Sequence, residues 1–97
     1  MVTFISMAST GSAVVGTANA GSPAGVLVAA NELRKSVVIY NNSSNTIYLS
    51  QNAGSDNGFP LLSQASITDE DSTTVWYGYA ASSSNVRYIE TSTPEGQ

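Results

Sequence analysis

Residues 34–50, Arg-Lys-Ser-Val-Val-Ile-Tyr-Asn-Asn-Ser-Ser-Asn-Thr-Ile-Tyr-Leu-Ser, constrain the fold more than any other part of the chain. Two runs rich in β-branched and aromatic side chains, residues 37–40 and 46–49, flank the five polar residues 41–45. Side chains of the first kind fit a pleated, half-buried surface. Asn and Ser satisfy turn backbone with their own polar groups, and Asn tolerates left-handed dihedrals. The segment therefore reads as a β-hairpin closed by a five-residue loop.

The rest of the chain carries the same signature. Residues 2–6 and 13–17 have strand character, and Gly11, Gly16, Gly21, Pro23 and Gly25 interrupt the region too often for a helix. Residues 25–30 are a further apolar strand, and residues 51–58 are a loop. Pro60 keeps Phe59 extended. Residues 65–68, 73–80 and 86–91 read as strands, separated by an acidic turn at 69–72 and a small-residue turn at 82–85. Short strands at this spacing predict an all-β fold, a compact β-sandwich, jelly-roll-like or a small barrel. Residues 1–24 read as an extended N-terminal arm or short strands, 25–92 as the sandwich and 93–97 as a tail. Alternation predicts a core built from Val37, Ile39, Ile47, Leu49, Val75, Tyr77 and Ile89. Trp76 and Gly78 share the other face of their strand.

Charge narrows the function. Charged residues are 10% of the chain, against about 25% in an average globular protein. Seven acids face only Arg34, Lys35 and Arg87, for a net charge of −4. Three cations cannot neutralise a run of phosphates, so neither nucleic acid nor an anionic membrane is an expected partner. No apolar run is long enough for a transmembrane helix. Ala18-Asn19-Ala20 mimics a signal-peptidase site but lacks the basic and continuous apolar segments that should precede it. A surface made of Ser, Thr and Asn is cheaper to desolvate than a Lys/Glu surface, which suits burial against another protein. A 97-residue chain buries only roughly 60–68% of its unfolded surface, so self-association is a natural source of added stability.

Catalytic chemistry finds little material. The chain has no His and no Cys, which removes a Ser-His-Asp arrangement, thiolate nucleophiles and thiolate metal sites. Lys35 beside Arg34 reads as a solvated charge guarding an edge strand. Asp56, Asp69, Glu70, Asp71 and Glu90 are conceivable glycosidase carboxylates, but residues 69–72 read as a solvated turn. That turn also lacks the alternating spacing of a calcium loop. Asn41-Asn42-Ser43 and Asn42-Ser43-Ser44 match glycosylation acceptors but are explained by turn geometry. The chain is thus read as a non-enzyme without catalytic, cofactor or metal residues. Its candidate interface residues are Val2, Phe4, Ile5, Val14, Val15, Trp76 and Tyr79. Arg34 and Arg87 are expected to be held by the fold, with a carboxylate such as Glu90, Glu32 or Asp69 nearby.

One pattern spans residues 34–91. Arg34, Val37, Ile39 and Asn41 are followed by Tyr48-Leu49, then Gly58 with Pro60-Leu61, and the pattern closes on Val86-Arg87 and Glu90. In order and spacing it resembles a group of small tailed-phage virion proteins. That resemblance implies a β-sandwich that decorates or cements a capsid. It implies a place on the virion surface, contact with the major capsid protein across neighbouring subunits, and assembly as a homotrimer. The tyrosines, Trp76 and the Asn-rich loops leave a second expectation open, a receptor- or carbohydrate-binding head or tail-fibre module.

Overall fold

A computed structural model describes residues 12–54 and 56–93. Eight strands occur in chain order: β1 (Ser12–Ala20), β2 (Gly25–Val28), β3 (Arg34–Asn41), β4 (Ile47–Ser50), β5 (Phe59–Leu61), β6 (Ser66–Asp69), β7 (Trp76–Tyr79) and β8 (Ser84–Ser92). They form two four-stranded sheets, ordered β1-β8-β3-β6 and β2-β7-β4-β5, with antiparallel pairing between all neighbours. Among the described residues there is no helix. Only the β4–β5 connection stays within one sheet; every other connection crosses to the opposite one. This is jelly-roll connectivity, two facing sheets joined by crossing connections.

The crossing corrects the sequence reading at residues 34–50. The two strands were expected to pair as a hairpin, yet β3 lies in the first sheet and β4 in the second. The cause sits at the last residue of β3. Asn41 is fully buried, and its Nδ2 donates to the carbonyls of Asn45 at 2.7 Å and Leu61 at 2.9 Å. Its Oδ1 accepts from the Ser43 amide at 3.1 Å and the Ser43 hydroxyl at 2.6 Å. The loop is thereby fastened to β5 of the facing sheet, and the chain arches over the end of the sandwich. The polar run does form a turn, but an intersheet one.

Before residue 25 the chain already contributes a strand to the first sheet. β1 is a nine-residue edge strand paired with β8 along its whole length, from Ser12↔Ser92 to Ala20↔Ser84. The ring of Tyr88 lies over Gly16 opposite it, and a Cβ there would have to displace that ring.

The core contains Ala20, Leu27, Val28, Val37, Ile39, Ile47, Leu49, Leu61, Ala80 and Val86. Val37, Ile39, Ile47 and Leu49 are the expected members. Burying each such side chain contributes about 1.5–3 kcal/mol relative to leaving it in water. Ile89 is a correction, being 46% exposed, because Val86 and Tyr88 take the inward positions of β8. Val75 and Tyr77 are only half-buried, and Trp76 packs on the core in their place. Gly78 follows inward, where any Cβ would strike the Leu27 side chain.

Candidate functional site

Three regions carry enough chemistry to be weighed: the polar cluster at one end of the sandwich, the outer surface of the first sheet, and the outer surface of the second.

The end cluster is centred on Arg34, whose side chain is completely buried. Its Nε donates to Glu90 Oε2 at 2.8 Å. The same guanidinium donates to the carbonyls of Ala29 at 2.7 Å, Thr74 at 2.8 Å and Ser72 at 3.3 Å. A planar fork of fixed donors suits this task, tying β3 to β8 and to two separate connections at once. Beside it, Asp69 shapes the β6–β7 arch, accepting from the amides of Asp71 and Ser72, the Ser72 hydroxyl at 2.7 Å and Trp76 Nε1 at 3.0 Å. Burial alone would raise its pKa, but these four hydrogen bonds outweigh it and hold the carboxyl below its ordinary 3.8. No buried side-chain nitrogen or oxygen among the described residues lacks a partner, so this chemistry fastens the fold. Among the described residues Arg34–Glu90 is the only ion pair, and no group of His, Cys, Asp and Glu could hold a metal ion. Arg87, expected to find a carboxylate, is exposed on the outer face of β8 and has no such partner among the described residues.

The outer surface of the first sheet carries one apolar row between polar ones. Register aligns Val15, Ile89 and Val38 in one row across β1, β8 and β3, with Thr17, Arg87 and Tyr40 in the next. A shallow groove of about 220 Å³ is lined by Val15, Val38, Tyr40, Arg87, Tyr88 and Ile89. Val15 is 69% exposed and Val14, on the opposite face of the same strand, 52%. Ser12 to Val15 are therefore exposed on both faces, and no strand among the described residues pairs with the outer edge of β1. That edge carries no Lys, Pro or bulge of the sort that usually blunts strand pairing.

The outer surface of the second sheet is aromatic. Tyr48 and Tyr79 are cross-strand partners, their ring centroids 6.4 Å apart and tilted by 45°. With Asp56, Asn57 and Gly58 they line an open cleft of about 480 Å³.

Of the expected interface residues, Val14 and Val15 lie on the exposed half of β1, and Tyr79 lines the cleft. Trp76 is packed against the core with its indole nitrogen bonded to Asp69. Val2, Phe4 and Ile5 lie outside the described residues. Sequence reasoning missed the polar fasteners, buried Asn41 and half-buried Asp69, and the pairing of Tyr48 with Tyr79. The last had a local signal, since both tyrosines alternate with small or aliphatic inward residues.

Comparison with protein-family models, curated proteins and solved structures returns no match. The residues of the phage-like pattern fall mostly in the architecture. Val37, Ile39, Leu49, Leu61 and Val86 are core, Arg34 and Glu90 are the buried pair, and Asn41 holds the arch.

Proposed function

We propose that the protein is a structural virion component that decorates and stabilises a phage capsid by binding across major capsid protein subunits as a homotrimer. The observation that carries an assembly role is the open, apolar edge of β1. Among the described residues that edge has no strand partner, and a row of backbone donors and acceptors flanked by exposed valines is suited to accept a strand from another chain, main-chain bonds giving affinity and side-chain pockets specificity. The apolar row Val15–Ile89–Val38 lies beside that edge and supplies contact area. Assignment to a capsid rests on the sequence pattern over residues 34–91, supported by a fold that recurs in capsid proteins as well as in lectins.

The test is reconstitution on capsid shells lacking the protein, with Val15→Lys against the unsubstituted chain. A charge at this exposed position leaves the sandwich intact and blunts the edge. Occupancy is expected to fall at least about tenfold, which is 1.4 kcal/mol per site. Unchanged occupancy would remove β1 as the adhesive element, and no binding of the unsubstituted chain to any shell would remove the capsid assignment itself.

A further inference from the structure

We propose that the cleft between Tyr48, Tyr79 and the β4–β5 loop binds a neutral saccharide. The site is independent of the assembly role, since it lies on the second sheet and the open β1 edge belongs to the first.

Strand alternation builds the floor. Ile47 and Leu49 enter the core and turn Tyr48 outward, while Gly78 faces inward and turns Tyr79 outward. The tilt between the rings means that neither is stacked flat on the other, so ring surface remains for a ligand. Gly58 builds the wall: a Cβ there would collide with the backbone of Leu49, so only glycine lets the loop close down on β4. That close approach sets Asp56 and Asn57 beside Tyr48. Among the described residues neither side chain has a protein hydrogen-bond partner, and neither do the two tyrosine hydroxyls. Four polar groups around two aromatic rings are thus uncommitted.

A pyranose matches this set. Its C–H face packs on an aromatic ring, and its hydroxyls donate to a carboxylate while exchanging bonds with an amide and phenols. The cleft volume of about 480 Å³ lies within the usual range for small-ligand sites. Charge excludes the main competitors. No cation lines the cleft, its one ionisable carboxylate is Asp56, and the chain carries −4 overall. Phosphorylated and sialylated ligands would meet repulsion without compensation.

The experiment is an NMR titration of the isotopically labelled full chain with maltotriose, cellotriose and chitotriose, and with sialyllactose as the charged comparator, each to about 10 mM, where weak sites register. At least one neutral trisaccharide is expected to shift resonances of Tyr48, Tyr79 and residues 56–58, more strongly than sialyllactose does. Tyr48→Ala and Tyr79→Ala should each weaken that binding about tenfold, the loss typical of one stacking ring. Tyr79→Phe should keep most of it, and Tyr40→Phe on the other sheet all of it. Unshifted resonances of the core residues Val37, Ile39 and Val86 on the first sheet verify the fold of the variants. The proposal is overturned if no neutral trisaccharide shifts the cleft, if sialyllactose binds more tightly than all of them, or if binding survives Tyr48→Ala undiminished.

Discussion

The two ends of β3 solve one problem with different chemistry. At each end the chain must cross between sheets, leaving carbonyls that no ladder satisfies. At the first residue, Arg34 answers with a buried cation, three carbonyl contacts and the Glu90 carboxylate. At the last, Asn41 answers with a neutral amide whose donors and acceptor are all used. The charged end reaches further, joining β8 and two connections, but each of its members depends on the others. The neutral end is local and carries no desolvated ion. Tolerance to substitution and to pH should therefore differ sharply between them.

The largest effect is expected from Arg34→Met, which leaves Glu90 without its counter-ion and three carbonyls without donors. Removing one partner of a buried pair costs about 3–5 kcal/mol, read as a lower urea midpoint. The double variant Arg34→Met/Glu90→Leu should lose less than the single one, because no orphan carboxylate remains. Equal losses would show that the carbonyl contacts, rather than the ion pair, dominate this end.

At the neutral end, Asn41→Leu should cost about 2–3 kcal/mol, because the Leu61 and Asn45 carbonyls lose the amide that joins them and Asn45 keeps only the long bond from the Ser43 hydroxyl. Asn41→Asp sharpens the contrast: a carboxylate oxygen would face those same carbonyls, so the variant should regain stability as the pH is lowered. A pH-independent loss would mean that the arch rearranges to accept the charge.

Acid should act on the charged end through Asp69. Its carboxyl titrates lower in the folded chain than in the unfolded one, so the unfolded state takes up the proton first. The stability it contributes is complete above the ordinary value of 3.8 and disappears as pH falls through the lower folded value. Asp69→Asn should abolish this part of the acid-unfolding profile at a cost of about 1 kcal/mol near neutrality. An unaltered profile would place the acid sensitivity elsewhere.

The smallest effects belong to exposed hydrogen bonds at either end. Gln51 Nε2 donates to Ser72 Oγ at 2.6 Å at the charged end, and Ser63 Oγ to the Ser43 carbonyl at 2.6 Å at the neutral end. Gln51→Ala and Ser63→Ala should each stay within about 0.5 kcal/mol. A larger loss from either would extend the fastening cluster to the surface.

Local composition made most strands legible, since β-branched and aromatic runs between turn residues mark them, whereas β5 is only Phe-Pro-Leu and β1 is rich in small residues. What it could not show was partnership. The distinction between a hairpin and an arch at residues 42–46 depends on Leu61, twenty residues beyond Asn41. Facing failed where both sides of a strand are apolar. In β8, Val86 and Tyr88 alternate with Ile89, and only the meeting of Glu90 with Arg34 fixes which set turns inward. In β7 the bond from Trp76 to Asp69 decides the same question. The site was partly readable: Val14 and Val15 stood out as apolar residues without a place in the core, whereas the cleft needs Tyr48 and Tyr79 on adjacent strands of different sequence neighbourhoods.

The pairing of Ser12 with Ser92 also sets the order of events during synthesis. β1 leaves the ribosome first, and its strand neighbour β8 leaves last. Until then β3 lacks one of its two neighbours, β2 waits for β7, and only the β4–β5 hairpin has a partner close in sequence. Pairing strands so far apart makes the closing step slow. The nascent chain must therefore carry open strand edges until β8 has emerged, and a stall before residue 84 leaves β1 without its partner strand.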